Sequence, residues 1–326
     1  IMEAILGTLS GANNKLLLCG NPTRTSGTFY DSHTRDRALY KCHTVSSADS
    51  SRTNKENIDS LIRKYGWDSN VVRVRVRGEF PNQEDDVFIP LSLIEQCSSK
   101  LLELDDADGM QFVSLGVDVA RFGDDETIIY RNYHGHCKIV RNRRGQNLMA
   151  TVGDIVQEFK KIYREHPTYE SKVYVQIDDT GLGGGVTDRL KEVRKEQKLY
   201  KMQVIPINAA EKIETDTAAG KDAAERYNNL TTAMWASMRD LLDNKQIVIE
   251  DDEQTIGQLS SRKYTMASNG KLEIEPKKEM KKRGLDSPDR ADALALALYL
   301  GKIKKHTGTA PSAGAMQKLS KDNYWG

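Results

Sequence analysis

Phe112 to Tyr130 reads FVSLGVDVARFGDDETIIY, two strand-like runs joined by a polar turn. Phe112, Val113, Leu115, Val117 and Val119 make the apolar, partly β-branched pattern of a buried strand. Asp118 sits inside that run, and an ionised carboxylate at a buried strand position is costly unless a partner residue or a bound cation compensates it. The pattern on either side of this aspartate decides the fold.

Strand patterns at 112–119, 126–132 and 136–141 are followed by a helix at 148–165, a strand at 172–177, a helix at 184–195, a strand at 202–207 and a long helix at 222–243. Three hairpin-like strands and then alternating helices and strands predict an α/β fold, a mixed sheet with helices on its faces. Next come a short strand, IVIE, and the ribbon SRKYTMASNGKLEIEP with Asn269-Gly270 as its turn; the last helix lies in SPDRADALALALYLGKI. Upstream, residues 1 to about 11 read as helix, KLLLCG and YKCHTV as strands, and NPTRTSGTFYDS as a polar loop. NKENIDSLIRKYG and DSNVVRVRVRGEF carry helical patterns, and IPLSLIEQC a turn and helix. One or two strands are too few for a complete sheet, so this part reads as the remnant of a larger α/β domain. The acidic stretch LELDDADG, Leu102 to Gly109, marks the change of texture. The expected organisation is 1–105 remnant and linker, 106–305 mixed-sheet domain, and 306–326 a polar, unpatterned mobile tail. The chain opens at Ile1 inside a helical pattern, which predicts that a natural amino-terminal portion precedes it.

A length of 326 residues suits roughly two domains. The 48 basic and 47 acidic side chains nearly cancel, so the net charge of +1 identifies no polyanionic partner and only the local blocks can. Four scattered cysteines without a CxxC suit a reduced, intracellular chain. No apolar run reaches membrane length, and IMEAILGTLSG is too short and too acidic for a signal peptide. The six histidines form no constellation.

Three acidic sites are structurally awkward. Asp118 lies on the first strand, with Asp124 and Asp125 in the turn beyond; Asp178 and Asp179 follow the strand KVYVQI and precede TGLGGG; Asp289 and Asp292 share one face of the last helix. Singly each has a structural explanation: an ion pair of Asp118 with Arg121, a turn at Asp178, and the helix dipole for Asp289. Jointly they differ, because one mixed sheet gathers strand-end acids at its functional edge. Clustered carboxylates need a cation to stay ionised, and oxygen-only ligands select hard metals such as Mg²⁺ or Mn²⁺. Two such ions about 4 Å apart form the clamp used for displacement at phosphorus, which points to a phosphodiester substrate.

GVDVARFGDDET, IDDTGLGGGVTDRL and SPDRADALALAL, in this order and on these elements, resemble the nuclease domain of tailed-phage terminase large subunits, of ribonuclease H-like fold. LLLCGNPTRTSGTFYDS and VRVRGEFP resemble the closing part of the P-loop ATPase domain of the same family, so the likeness runs to about residue 305. The resemblance implies a packaging motor that cuts concatemeric double-stranded DNA, working with a portal protein and a small terminase subunit. It implies a place in the host cytoplasm, transiently on the procapsid. Asp118, Asp178 and Asp292 match the metal-binding acids of the family, with Asp124 as an accessory ligand; Asp179 and Asp289 compete for the same roles. No GxxxxGK[ST] occurs, so ATP hydrolysis by this chain is not expected.

Lys277, Lys278, Lys281, Lys282 and Arg283 precede the acid-bearing helix and are expected to contact DNA phosphates. RNRR, Arg141 to Arg144, reads as a solvated face. Two other readings remain open. Asp179-Thr180-Gly181 with the following glycines suits an actin- or sugar-kinase-like ATPase, and a non-catalytic DNA- or portal-docking module would need the acids only as structure. A dinucleotide fingerprint fails because Val186 stands where its last glycine belongs.

Overall fold

The computed structural model describes residues 5–301 apart from 6, 12, 24, 26, 82–86, 100–101, 105–109, 121–125, 210 and 300. The expected mobile tail therefore lies outside the described residues. The first part contributes helices α1 (Thr28–His33), α2 (Lys55–Tyr65) and α3 (Leu91–Gln96). The second part runs β1 (Val113–Asp118), β2 (Thr127–Tyr133), β3 (His136–Arg143), α4 (Leu148–Glu165), β4 (Val173–Asp178), α5 (Gly183–Glu196), β5 (Met202–Ile207), α6 (Ala218–Arg226) and α7 (Leu230–Asp243). It closes with β6 (Val248–Ile249), α8 (Glu253–Ser261), β7 (Tyr264–Met266), β8 (Leu272–Ile274), α9 (Lys277–Lys282) and α10 (Asp289–Leu298).

The six-stranded sheet has the order β5-β4-β1-β2-β3-β6. β1, β2 and β3 form an antiparallel meander, β4 and β5 add parallel to β1, and β6 adds parallel to β3. Side chains alternate along a strand, so each strand serves two faces. Val113, Leu115 and Val117 of β1 and Val173, Val175 and Ile177 of β4 pack with Ile155 and Phe159 of α4 and Val186 and Leu190 of α5. Ser114, Gly116 and Asp118, with Tyr174, Gln176 and Asp178, have the opposite parity, and on that face Ser114, Gly116 and Gln176 meet α10.

α10 is buried at every residue, which is why its sequence is apolar on all sides apart from its first turn. A Cβ built at Gly116 would stand 2.1 Å from the Ala293 carbonyl oxygen and 2.3 Å from the Ala297 nitrogen, so only glycine admits the helix this close to β1. The Ala297 carbonyl then accepts from Ser114 Oγ at 2.5 Å and Gln176 Nε2 at 3.3 Å. At the other end, Gln258 Oε1 on α8 accepts the Arg290 and Ala291 amides at 2.9 and 3.1 Å, capping α10 where no local side chain does so. Both ends of the acid-bearing helix are therefore fixed against other elements.

The strands expected at KLLLCG and YKCHTV do not form. Leu17 is 88% exposed, and among the described residues no strand pairs with either segment to complete a ladder. The expected long helix at 222–243 is two helices. Between them the Asn228 amide donates to the Leu272 carbonyl, and the Asn229 side chain caps α7 through the Thr232 amide. The apolar side chains of the first part enter the main core: Val74, Phe88, Ile89, Leu91 and Ile94 pack in one cluster with Trp235 of α7, Ile256 of α8 and Leu294 of α10.

Candidate active site

Val117 and Ile177 are partners in the parallel β1–β4 ladder, so Asp118 and Asp178 end neighbouring strands side by side. Both have the parity that faces α10, whose first turn supplies Asp289 and Asp292. These four carboxylates line one cleft of about 550 Å³, together with Thr180, Asn229, Glu273, Lys277 and Lys281. Residues as far apart in sequence as Asp118 and Asp292 thus converge at the carboxyl ends of the strands, where α/β sheets place their sites.

The centre of the cluster is the Lys277 ammonium. Its Nζ lies 2.9 Å from Asp292 Oδ2, 3.5 Å from Asp118 Oδ2 and 3.8 Å from Asp289 Oδ1. Burial opposes its charge, but Asp118, Asp292 and Asp289 together hold its pKa well above the ordinary lysine value. Asp118 is buried, and its Oδ2 has no hydrogen-bond partner. Burial raises its pKa above the usual carboxylate range; Asp289, Asp292 and Asp178 add to this, and Lys277 opposes it. Asp292 shares the same ammonium yet shifts the other way. Burial would raise its pKa, but Lys277, Arg262 and the Trp235 indole outweigh that and keep it below the ordinary value. Asp289 Oδ2 accepts the Glu126 amide at 3.0 Å, and the Glu126 side chain is held in turn by Arg144 and Arg290.

The structure separates the aspartate doublets. Asp178 Oδ1 accepts the Thr180 amide at 3.0 Å and the residue lines the cleft. Asp179 is turned away, its Oδ1 accepting from Thr187 Oγ1 on α5 at 2.7 Å. It is therefore a brace between strand end and helix, and the ligand role considered for it has no geometric support. Asp289 and Asp292 are not alternatives, since both reach the cleft. Asp124 lies outside the described residues.

The cations expected on a DNA-facing rim divide. Lys277 belongs to the acid cluster instead, because three carboxylates attract it inward. Lys281 lines the cleft, and Lys278 is exposed. Lys282 pairs with Glu279 at 2.8 Å, and Arg283 pairs with Glu275 at 2.6 Å. Trp235, Arg262, Glu126 and Gln258 surround the acids without having been singled out in the sequence. Only their contacts reveal them, since no spacing connects them to the aspartates.

Among the described residues, no three His, Cys, Asp or Glu side chains are drawn together as a ready-made ion-binding group. The donor set nevertheless fits a hard divalent cation. It offers carboxylate oxygens, one of which is buried without a hydrogen-bond partner, and a positive charge already occupies its centre.

No family model matches the chain. A protein described as a probable terminase large subunit of Enterobacteria phage P7 is 25% identical over 314 residues, covering 91% of this chain and 60% of that protein. The chain thus spans well under two thirds of that relative's length. The nuclease domain of the large terminase subunit gp2 of bacterial virus Sf6 superposes with a TM-score of 0.51 at 18% identity, over 66% of this chain and 99% of that domain. A point mutant of the same domain solved with manganese gives 0.50 at 16% identity over the same shares of the two chains. At such identities the structural likeness establishes the fold. By this sheet order and superposition, the second part has the ribonuclease H-like fold of the Sf6 nuclease domain, and the chain is similar in sequence to the probable terminase large subunit of phage P7.

Proposed function

We propose that residues 106–305 form a divalent-metal-dependent endodeoxyribonuclease that cuts concatemeric double-stranded DNA during packaging of a phage genome. The observation that carries this reading is the meeting of Asp118, Asp178, Asp289 and Asp292 in one cleft, around a charge supplied by Lys277. Asp118, Asp178 and Asp292 would hold Mg²⁺ or Mn²⁺, with two ions as the expected complement. When bound, the metal would supply Lewis acidity toward the scissile phosphate and toward water.

The chain's own residues do the remaining work. Lys277 offsets the mutual repulsion of the acids. Arg262 and Trp235 hold one oxygen of Asp292, and the Glu126 amide holds one oxygen of Asp289. Lys281, which lines the cleft, and the exposed Lys278 would meet the phosphate backbone and give binding with little sequence preference. Residues 1–105 would be the end of an ATPase domain and its linker, and 306–326 a tail. A portal protein and a small terminase subunit would be partners, in the host cytoplasm and transiently on the procapsid.

The test is cleavage of supercoiled plasmid. Purified protein is expected to nick and linearise it in Mn²⁺ or Mg²⁺, and EDTA or Asp118→Ala is expected to abolish this. Undiminished cleavage by Asp118→Ala would remove the acid cluster from the mechanism, and absence of cleavage under any metal would favour a docking module.

A further inference from the structure

Asp292 is held unlike the other acids of the cleft. Its Oδ1 accepts the Trp235 indole Nε1–H at 2.8 Å and Arg262 Nη1 at 2.9 Å. Its Oδ2 faces the cleft, 2.9 Å from Lys277 Nζ. Neither donor is free to drift. Trp235 is fully buried on α7, and the Arg262 guanidinium lies over its indole, 4.6 Å from the ring centroid. Arg262 Nε is tied to the Glu275 carbonyl at 3.0 Å. Two buried donors saturating one oxygen from the protein side leave a single oxygen to offer. Among the described residues, Asp118 Oδ2 has no such partner, Asp178 Oδ1 accepts a loop amide, and Asp289 Oδ2 accepts the Glu126 backbone amide.

We propose that Trp235 and Arg262 are positioning residues of the hydrolytic site: they pin Asp292 Oδ1 so that Oδ2 alone is presented, making Asp292 a single-oxygen ligand. This rests on the metal-dependent reading above. Hydrogen-bonding partners of a ligand fix its orientation, and their loss typically weakens metal binding about 10-fold or more. The geometry also makes the indole a reporter. A divalent charge placed on Asp292 Oδ2 alters the field at a ring whose N–H is bonded to the same carboxylate.

The experiment titrates the full chain with Mg²⁺, following heat by calorimetry and tryptophan emission in parallel. The wild type is expected to change emission along the same curve as the heat, and Trp235→Phe to lose the emission change while binding Mg²⁺ about 10-fold more weakly. In an Asp292→Asn background, Trp235→Phe is expected to add less than a twofold effect, because its influence runs through Asp292. Arg262→Lys, which keeps the charge but not the forked donor, is expected to weaken binding in the same direction. Binding by the wild type with no emission change overturns the proposal, even should the variants fail to fold. So does unaltered affinity in Trp235→Phe, or an undiminished effect of that substitution beside Asp292→Asn. Absence of any Mg²⁺ heat in the wild type is a different result and removes the metal-dependent reading itself.

Discussion

One ammonium shared by three carboxylates is the central electrostatic fact at the scale of single residues. Charges a few ångströms apart interact by about 4 kcal/mol at an effective dielectric constant of 20, so removing Lys277 leaves the acids strongly repelling one another. The Lys277 side chain is 40% exposed, which leaves it a route out toward solvent. Lys277→Ala is therefore expected to bind Mn²⁺ several-fold more tightly in calorimetry, having lost a competing cation. Without metal the same variant is expected to melt several degrees earlier, on the basis of about 2–4 °C per kcal/mol for a chain of this size, and to recover with Mn²⁺. Weaker Mn²⁺ binding would mean that the lysine assists the ion instead of standing in for it. The choice between Asp178 and Asp179 was available in the sequence through strand parity. Val173, Val175 and Ile177 are the apolar face, so residue 178 belongs to the other one. The inward turn of Lys277 was not legible, because a charge run looks the same whether its first member faces solvent or a buried acid cluster.

Among the elements, the contact between β1 and α10 sets the spacing of the acids, since it joins Asp118 on the strand to Asp289 and Asp292 on the helix. Gly116 makes that contact possible: a methyl there would meet backbone atoms of Ala293 and Ala297, which cannot rotate aside. Gly116→Ala is expected to cost about 1–3 kcal/mol in urea denaturation, the usual range for overpacking, or somewhat more because backbone is struck. Metal-dependent cleavage is expected to fall more than the stability loss alone accounts for, because α10 must shift away from Asp118. Equal losses in Gly116→Ala and in a substitution of matched stability cost on the α4–α5 side would show that the helix position is not critical. Strands β1 to β5 and helices α4, α5 and α10 were legible because their apolar periods are long and bounded by turn residues. α8 was not, since EQTIGQLSS is short and carries Gly257 and two serines. The break between α6 and α7 was hidden for another reason: it is made by pairing with distant Leu272, which no local pattern encodes.

For the whole molecule, composition and packing divide the chain differently. The acidic run Leu102 to Gly109 is a change in composition, yet apolar side chains from well before it complete the core of the sheet domain. Val74, Phe88, Ile89, Leu91 and Ile94 are at most 5% exposed and sit in the cluster that supports α7, α8 and α10. Arg75 adds ion pairs to Glu95 at 3.3 Å and Asp251 at 3.6 Å. Five fully buried side chains of this size correspond to about 10 kcal/mol of burial, an upper value and comparable with the total stability of a domain. A fragment beginning at residue 106 is accordingly expected to lose its cooperative thermal transition and to bind an apolar dye, whereas one beginning at residue 66 keeps a single transition. Calorimetry of both fragments against the full chain checks this. Were the shorter fragment to melt at the same temperature as the longer one, the core beneath Asp289 and Asp292 would be self-sufficient. Were it to lose the transition, the segment at 70–98 would be part of what holds the acids in place, and any displacement of that segment would reach the cleft.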